Sequence, residues 1–373
     1  MKTVGIMTYF ESSSLGANLQ AFALQTQIEK LGCKAEIINY NRKGDYQEKT
    51  KPASKKDKLI RVVNAVQSVL EKDAREKKET AFRRFRTSRL KVAEKRYENF
   101  AALEAEPPAY DFYVTGSDQV WNPYTGVRMA YFLSFTDENE KKIAYAPSIG
   151  VKKIGEEFEG LFRKNVTSFR ALSCRERVGA EEISRIIGKP VQTVLDPTLL
   201  LTDSEWDAFA AETKLPKKKY MLCYFLGSLK SSRKLAEKVA KEKGLEILDI
   251  PGSPADLLWN VRKAKGVGPA EFLYLVRHAD FICTDSFHGT AFAINYLKPF
   301  LCFQRRGYAS AKSFGSRLEN ILELTGLQSC LVFEGSETYD ANFAAEHIAE
   351  TQKHIEEQRA ISNNYLQNAL LSL

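Results

Sequence analysis

No run of about eighteen apolar residues occurs in the 373-residue sequence, so no bilayer-spanning helix is expected. Histidine is scarce. There are four, His278, His288, His347 and His354, and none makes an HxxxH or HExxH pattern, so no metal site is expected. The six cysteines never form CxxC, and most sit in apolar runs. They read as buried thiols of a reducing, cytoplasmic compartment rather than as a disulfide framework. No repeat of fixed period occurs, and no glycine-rich or aromatic RNA signature, so nucleic acid is not an expected partner. The opening MKTVGIMTYFESSSLG has one lysine and a short apolar run followed by an acid and serines, which suits a first strand better than a signal peptide.

Hydrophobic residues make up 44% of the chain and aromatic residues 11%, a composition that folds into packed cores. The length suits two domains of roughly 150 residues each. The net charge of +8 is local: residues 42–96 hold 19 Lys/Arg against 8 Asp/Glu, an excess of +11, which leaves the remainder near −3. A solvated helical face is the plain reading of that excess. Peripheral contact with anionic lipid, at the inner face of the plasma membrane, or with a polyanionic carrier is the functional one.

Strand and helix patterns alternate from the start. KTVGIMTYF reads as a buried strand, NLQAFALQTQIEKLG as a helix, and AEIINYN as a second strand. Residues 42–106 are taken as an insertion of helices, with Leu59, Ile60, Val62, Val63, Val66, Val69 and Leu70 as apolar positions. Strand character returns in YDFYVTG, KKIAYAP, ALSC and VQTVLDPTLLL, then in KYMLCYFLG, LEILDI, DFICT and PFLCF, with helices between. Strands separated by helices of this length imply parallel sheets with right-handed crossovers. The expected architecture is α/β: two Rossmann-like, doubly wound domains facing a cleft. The domains are 1–202, carrying the insertion, and 203–342, with a hinge near 203–219. The helix of 343–373 packs back on the first domain.

In parallel sheets ligands bind beyond the carboxyl ends of the strands. Four strand-to-helix loops therefore matter. ESSSLGAN offers Gly16, Asn18 and Gln20 at a helix start, where free amides hold an anion or a sugar hydroxyl, or merely cap the helix. TGSDQVWNP offers Gly116, Ser117, Asp118, Gln119, Trp121 and Asn122, a sugar-binding set or an Asx-turn over a buried Trp. SCRERVG offers Arg175, which clamps a carboxylate or phosphate or else pairs internally with Glu176 or Glu181. TDSFHGT offers Asp285, Ser286, His288, Gly289 and Thr290 at another helix start. Here His288 is the candidate acid/base, Asp285 its candidate orienting partner, and Asp118 the next catalytic candidate.

Taken in order and spacing, GANLQAFALQ, DFYVTGSDQVWNP, KIAYAPSIG, SCRERVG, VLDPTLLL and ADFICTDSFHGTAFAINYLKPF resemble the polysaccharide pyruvyl transferase family over most of the chain. The resemblance implies an architecture similar to the glycosyltransferase B (GT-B) fold. It implies transfer of the enolpyruvyl unit of phosphoenolpyruvate to two hydroxyls of a sugar, forming a cyclic pyruvate ketal and releasing phosphate, with no cofactor beyond the donor substrate. The acceptor would be a glycan or a lipid-linked oligosaccharide of capsule or exopolysaccharide biosynthesis. His288 stands at the family's histidine and Arg175 at the arginine that contacts phosphoenolpyruvate. Two positions depart from the pattern: Ser286 stands where many members have arginine, and Ser14-Leu15 where an Asn-Tyr pair is common. Arg305, Arg306 or Arg317 would then supply the missing charge, or the donor differs. The alternatives are a GT-B glycosyltransferase using a nucleotide-sugar donor, and a non-catalytic glycan-binding relative. Against the former, AFAINYL lacks the glutamate that would hold a donor ribose.

Overall fold

The computed structural model describes residues 1–45, 72–253, 256, 258–305, 316–334, 336 and 338–371. The seven apolar positions of the insertion named above and Arg306 lie outside the described residues.

Two parallel sheets carry the fold. The first comprises β1 (Thr3–Met7), β2 (Lys34–Tyr40), β3 (Val92–Tyr97), β4 (Phe112–Thr115), β5 (Lys142–Ala144), β6 (Ala171–Cys174) and β7 (Gln192–Thr193), in the order β3-β2-β1-β4-β5-β6-β7. The second comprises β8 (Tyr220–Tyr224), β9 (Glu246–Asp249), β10 (Arg262–Lys263), β11 (Phe281–Thr284), β12 (Phe300–Phe303) and β13 (Leu331–Val332), in the order β10-β9-β8-β11-β12-β13. Central strands β1, β4, β8 and β11 are almost wholly buried because helices cover both faces, which is why their sequences are continuous apolar runs. Each order reverses once, between β1 and β4 and between β8 and β11. Those two switch points open crevices at the strands' carboxyl ends.

The helices are α1 (Leu15–Lys30), α2 (Lys72–Arg89), α3 (Phe100–Ala105), α4 (Glu156–Val166), α5 (Arg177–Ile187), α6 (Asp203–Asp207), α7 (Lys230–Lys243), α8 (Pro269–His278), α9 (Phe287–Asn295), α10 (Ser316–Thr325), α11 (Phe343–Glu346) and α12 (Ile348–Leu371). The segment 42–106, expected to be helical throughout, also contributes β3. Its sequence VAEKRY carries charges because it is an edge strand with one solvated face. Helix α2 buries Ala81, Phe82 and Phe85 and leans on the loop before α8, where Gly268 leaves room for Ala81 and Arg84 pairs with Glu271. The final helix α12 returns to the first sheet, with Tyr365 Oη donating to Ala144 O at 2.8 Å and Leu195 N donating to Ser362 Oγ at 2.9 Å. Among the described residues no helix is long and apolar enough to cross a membrane.

The two halves are not separated by an open cleft along their whole length. One apolar cluster runs from Ile6, Leu19 and Phe22 in the first half to Phe272, Leu275 and Phe292 in the second. Phe22 meets Trp206 at 5.7 Å between centroids, and Trp206 meets Phe292 at 5.1 Å. Burying one such aromatic side chain contributes about 2–3 kcal/mol, so this joint resists separation.

Candidate active site

Helix α9 carries His288 into the joint. Thr284, the last residue of β11, accepts from Ser286 N at 3.0 Å, and Ser286 Oγ then caps α9 by accepting from Gly289 N at 3.3 Å. A side chain at Gly289 would overlap Thr284, which explains why the turn from β11 into α9 needs glycine there. Thr290 is buried one residue further on. Ser286, where the resemblance implies arginine, thus has a structural task that arginine could not perform.

The imidazole of His288 is 11% exposed and lies against Gly16, the second residue of α1 from the opposite half; any Cβ at Gly16 would overlap the ring. Its Nε2 stands 3.7 Å from Asp196 Oδ2 and has no hydrogen-bond partner among the described residues. The expected partner, Asp285, does not fill this role. Its two carboxylate oxygens accept from Leu226 N at 2.6 Å and Gly227 N at 2.7 Å, bracing the loop after β8, and its charge meets Arg305 Nε at 3.4 Å. The carboxylate facing His288 is Asp196, in the VLDPT segment that follows β7.

Asp196 is fully buried. Oδ2 accepts from Arg175 Nη1 at 2.7 Å and Ser117 Oγ at 3.0 Å, and Oδ1 accepts from Thr198 N at 3.0 Å and Thr198 Oγ1 at 2.8 Å. Burial pushes its pKa up, but His288, Arg175 and these donors outweigh burial and hold the carboxyl well below the usual range. Arg175 is equally buried. Burial lowers its pKa and the two carboxylates, Glu176 and Asp196, raise it further, so the guanidinium stays charged. Glu176 accepts from Arg175 Nε at 3.2 Å and from Ser148 Oγ at 2.6 Å. Desolvating each ion costs several kcal/mol, and only this saturated set of bonds offsets it. The expected two-toothed clamp on a ligand is therefore taken up by protein carboxylates; Nη2 alone lacks a partner among the described residues. The guanidinium also lies over the Phe287 ring at 4.1 Å, joining β6 of one half to α9 of the other.

The remaining first-half candidates divide into two groups. Gln20 ties the β1 and β4 loops together: Nε2 donates to Thr8 Oγ1 at 2.8 Å and Oε1 accepts from Ser117 N at 3.0 Å. Gly116 (φ 116°) and Asp118 (φ 68°) adopt left-handed backbone, and Asp118, partly exposed, sits beside Arg175 and Arg317. The other group is structural. Asn18 Nδ2 donates to Ser12 O and Ser14 O. Asn122 bonds Gln119 and caps the next turn. Trp121, expected to meet sugar, is 1% exposed; its indole N–H donates to Tyr131 O at 2.9 Å and its ring stacks on Phe132.

Helix α10 brings Arg317 to the same place, among Arg175, Glu176, Asp118 and Arg305. Burial, then the repulsion of Arg175, pushes its pKa down to about 10. Asn320 fixes the helix there by accepting from Arg177 N at 2.8 Å and donating to Arg175 O at 3.1 Å. Residues from both halves thus converge beyond the carboxyl ends of β4, β6 and β11.

Solved structures similar to this chain include UDP-GlcNAc 2-epimerases and a wall teichoic acid polymerase. MnaA of S. aureus with UDP shares 13% identity at TM-score 0.50, covering 98% of this chain and 92% of that one. The UDP-GlcNAc 2-epimerase of Neisseria meningitidis shares 11% at TM-score 0.45, covering 99% and 97%. The wall teichoic acid polymerase TagF shares 12% at TM-score 0.45, covering 96% and 82%. These likenesses concern the fold, two Rossmann-like units of GT-B type. No curated protein matches the chain in sequence. The profile of one family, polysaccharide pyruvyl transferase, matches residues 15–306. That span begins at the helix against which His288 rests and includes Ser117, Arg175, Asp196 and His288 itself. The chain therefore belongs to the polysaccharide pyruvyl transferase family and is a transferase.

Proposed function

We propose that the protein transfers the enolpyruvyl unit of phosphoenolpyruvate to a sugar of a cell-surface polysaccharide or of its lipid-linked precursor, closing a pyruvate ketal. Family membership supports the reaction class. The observation that carries the site is the buried, unbonded Nε2 of His288, 3.7 Å from an ionised carboxylate at the joint of the two halves. Imidazole gives and takes protons near neutral pH, and the reaction needs both. C3 of the donor gains a proton, which makes C2 electrophilic, and a sugar hydroxyl loses one as its oxygen bonds C2. A second hydroxyl oxygen then displaces phosphate, which leaves with the second proton.

In this reading His288 is the acid/base group, Asp196 balances its charge across 3.7 Å when the ring is protonated, and Arg175 holds Asp196. The amide end of α9, Arg317 and Arg305 face the donor's negative charge. Asp118 is the reserve candidate for the proton from the sugar. The joint's apolar walls limit water, which competes with the hydroxyl. The cationic exposed face of α2 would rest near anionic lipid in the cytoplasm; co-sedimentation with anionic but not neutral vesicles, weakening as salt rises, checks this.

Incubating the protein with phosphoenolpyruvate and a panel of glycans, and following phosphate release and the acceptor's mass, tests the reaction. Turnover with a nucleotide sugar in place of phosphoenolpyruvate would establish a glycosyltransferase. Binding of glycan without turnover of either donor would establish the non-catalytic reading.

A further inference from the structure

A second cavity, of about 880 Å³, opens at the edge of the first sheet beside the β1–α1 loop. Its volume lies in the range of small-molecule sites, roughly 300–1,000 Å³, and exceeds what a lone ion needs. Four cationic side chains line it, Arg42, Lys43, Arg86 and Arg96, against one carboxylate, Glu11. Glu11 is already committed to Arg96, whose Nε also donates to Glu98 at 2.8 Å. Among the described residues none of the other three cations has a carboxylate within salt-bridge distance, although Glu11 and Glu79 act on Arg86 from further off. Arg42 lies over the Tyr9 ring at 4.7 Å and its guanidinium donates no hydrogen bond among the described residues. Lys43 Nζ has no carboxylate within salt-bridge distance among the described residues. The Nη1 of Arg86 is buried with no acceptor among the described residues.

A buried guanidinium nitrogen without an acceptor costs about 1–3 kcal/mol or more, which makes this arrangement a poor choice for stability alone. An anion with several oxygens would satisfy Arg86 and approach Arg42 and Lys43 together. Asn39 and Ser13 on the same wall supply further polar contacts for a sugar. Ser13 is three residues from Gly16, the contact of His288, a span of at most about 10 Å of chain. The cavity and the acid/base group therefore border the same loop, at Ser13 and Gly16.

We propose that this cavity binds a phosphate or diphosphate group of the acceptor, and so holds the acceptor sugar within reach of His288. The link to the acceptor rests on the pyruvyltransferase reading; the binding of a phosphate group does not. Titration calorimetry with inorganic pyrophosphate tests the cavity directly, using the full chain and no turnover. The parent and His288→Asn should bind equally. Arg86→Ala and Arg42→Ala, each checked for a retained cooperative unfolding transition, should each bind about ten- to hundred-fold more weakly, the usual effect of losing one charge-assisted contact. Saturating phosphoenolpyruvate should not compete. No binding by the parent, unchanged binding by both arginine variants, or full competition by phosphoenolpyruvate would overturn the assignment. Farnesyl diphosphate separates the sources: tighter binding than pyrophosphate identifies a lipid-linked acceptor, and equal binding identifies a soluble phosphorylated one. If pyrophosphate binds as stated while no phosphate is released from phosphoenolpyruvate with any glycan, the transfer reading fails and the site stands.

Discussion

Replacing Asp196 by asparagine keeps the side chain's size and removes its charge. In the parent, Oδ2 neutralises Arg175 at 2.7 Å and Oδ1 accepts twice from Thr198, all at positions closed to water. The amide retains an oxygen but takes from Arg175 its hydrogen-bonded anion, leaving Glu176 and the more distant Asp118. Breaking one side of a buried ion pair costs about 3–5 kcal/mol, so Asp196→Asn should lose roughly that much. The double variant with Arg175→Met removes the stranded charge along with its partner. Its cost should fall short of the sum of the single losses by about 2 kcal/mol or more. Urea unfolding followed by tryptophan fluorescence reads both, with Trp121 in the first core, Trp206 in the joint and Trp259 in the second core reporting separately. The pH dependence follows from the sign of the shift. The native carboxyl titrates below its ordinary 3.8, so the unfolded chain binds the proton more readily. The stabilisation is fully present above about pH 4 and fades as pH falls towards the native pKa. Parent and Asp196→Asn stabilities should therefore converge on acidification. A loss under about 1 kcal/mol, additive singles, or a gap between parent and variant that stays constant from pH 6 to pH 3 would refute the ion-pair account.

Two further outcomes follow. Gly16→Ala forces a methyl into the His288 ring; overpacking should cost about 1–3 kcal/mol, and displacing the ring should cut turnover about 10²-fold, read by melting and by phosphate release on the same sample. Asp249, buried beside Asp256 with Lys263 and Arg233 nearby, has its pKa pushed up to about 7 chiefly by burial, so native stability declines as pH rises from about 4 to about 7; Asp249→Asn should remove that slope and gain ~1–3 kcal/mol at pH 8, measured by urea unfolding across pH.

The central strands were legible because burial on both faces writes them as apolar runs: TVGIM, FYVT, YMLCY and FICT each stand out. Strand β3 was not, since an edge strand can read VAEKRY and pass for part of a charged helix. The two-residue strands β7, β10 and β13 are too short for any periodicity to show. Within the site, His288, Ser117 and Arg175 could be found because each lies within four residues of the end of an apolar strand. Asp196 could not, because VLDPTLLL reads as one strand although the chain leaves the sheet after Thr193. The available clue was Asp-Pro itself, an acceptor side chain ahead of proline at the first position of a turn, which is how Asp196 caps residues 197–199. Trp121 misled because an indole in a polar loop resembles a sugar platform, while its partners Phe132, Phe162 and Phe169 are distant in sequence. Asp285 misled for a similar reason: proximity in sequence to His288 says nothing of the loop after β8 that it holds.

His288 is proposed to move the proton. Single-turnover phosphate release from phosphoenolpyruvate, at saturating donor and acceptor, by the parent and by folded His288→Asn tests it most directly. The account predicts a rate about 10²–10⁴-fold lower in the variant with donor binding largely kept; a rate within a few-fold of the parent would contradict it and move the acid/base role to another group, Asp118 first.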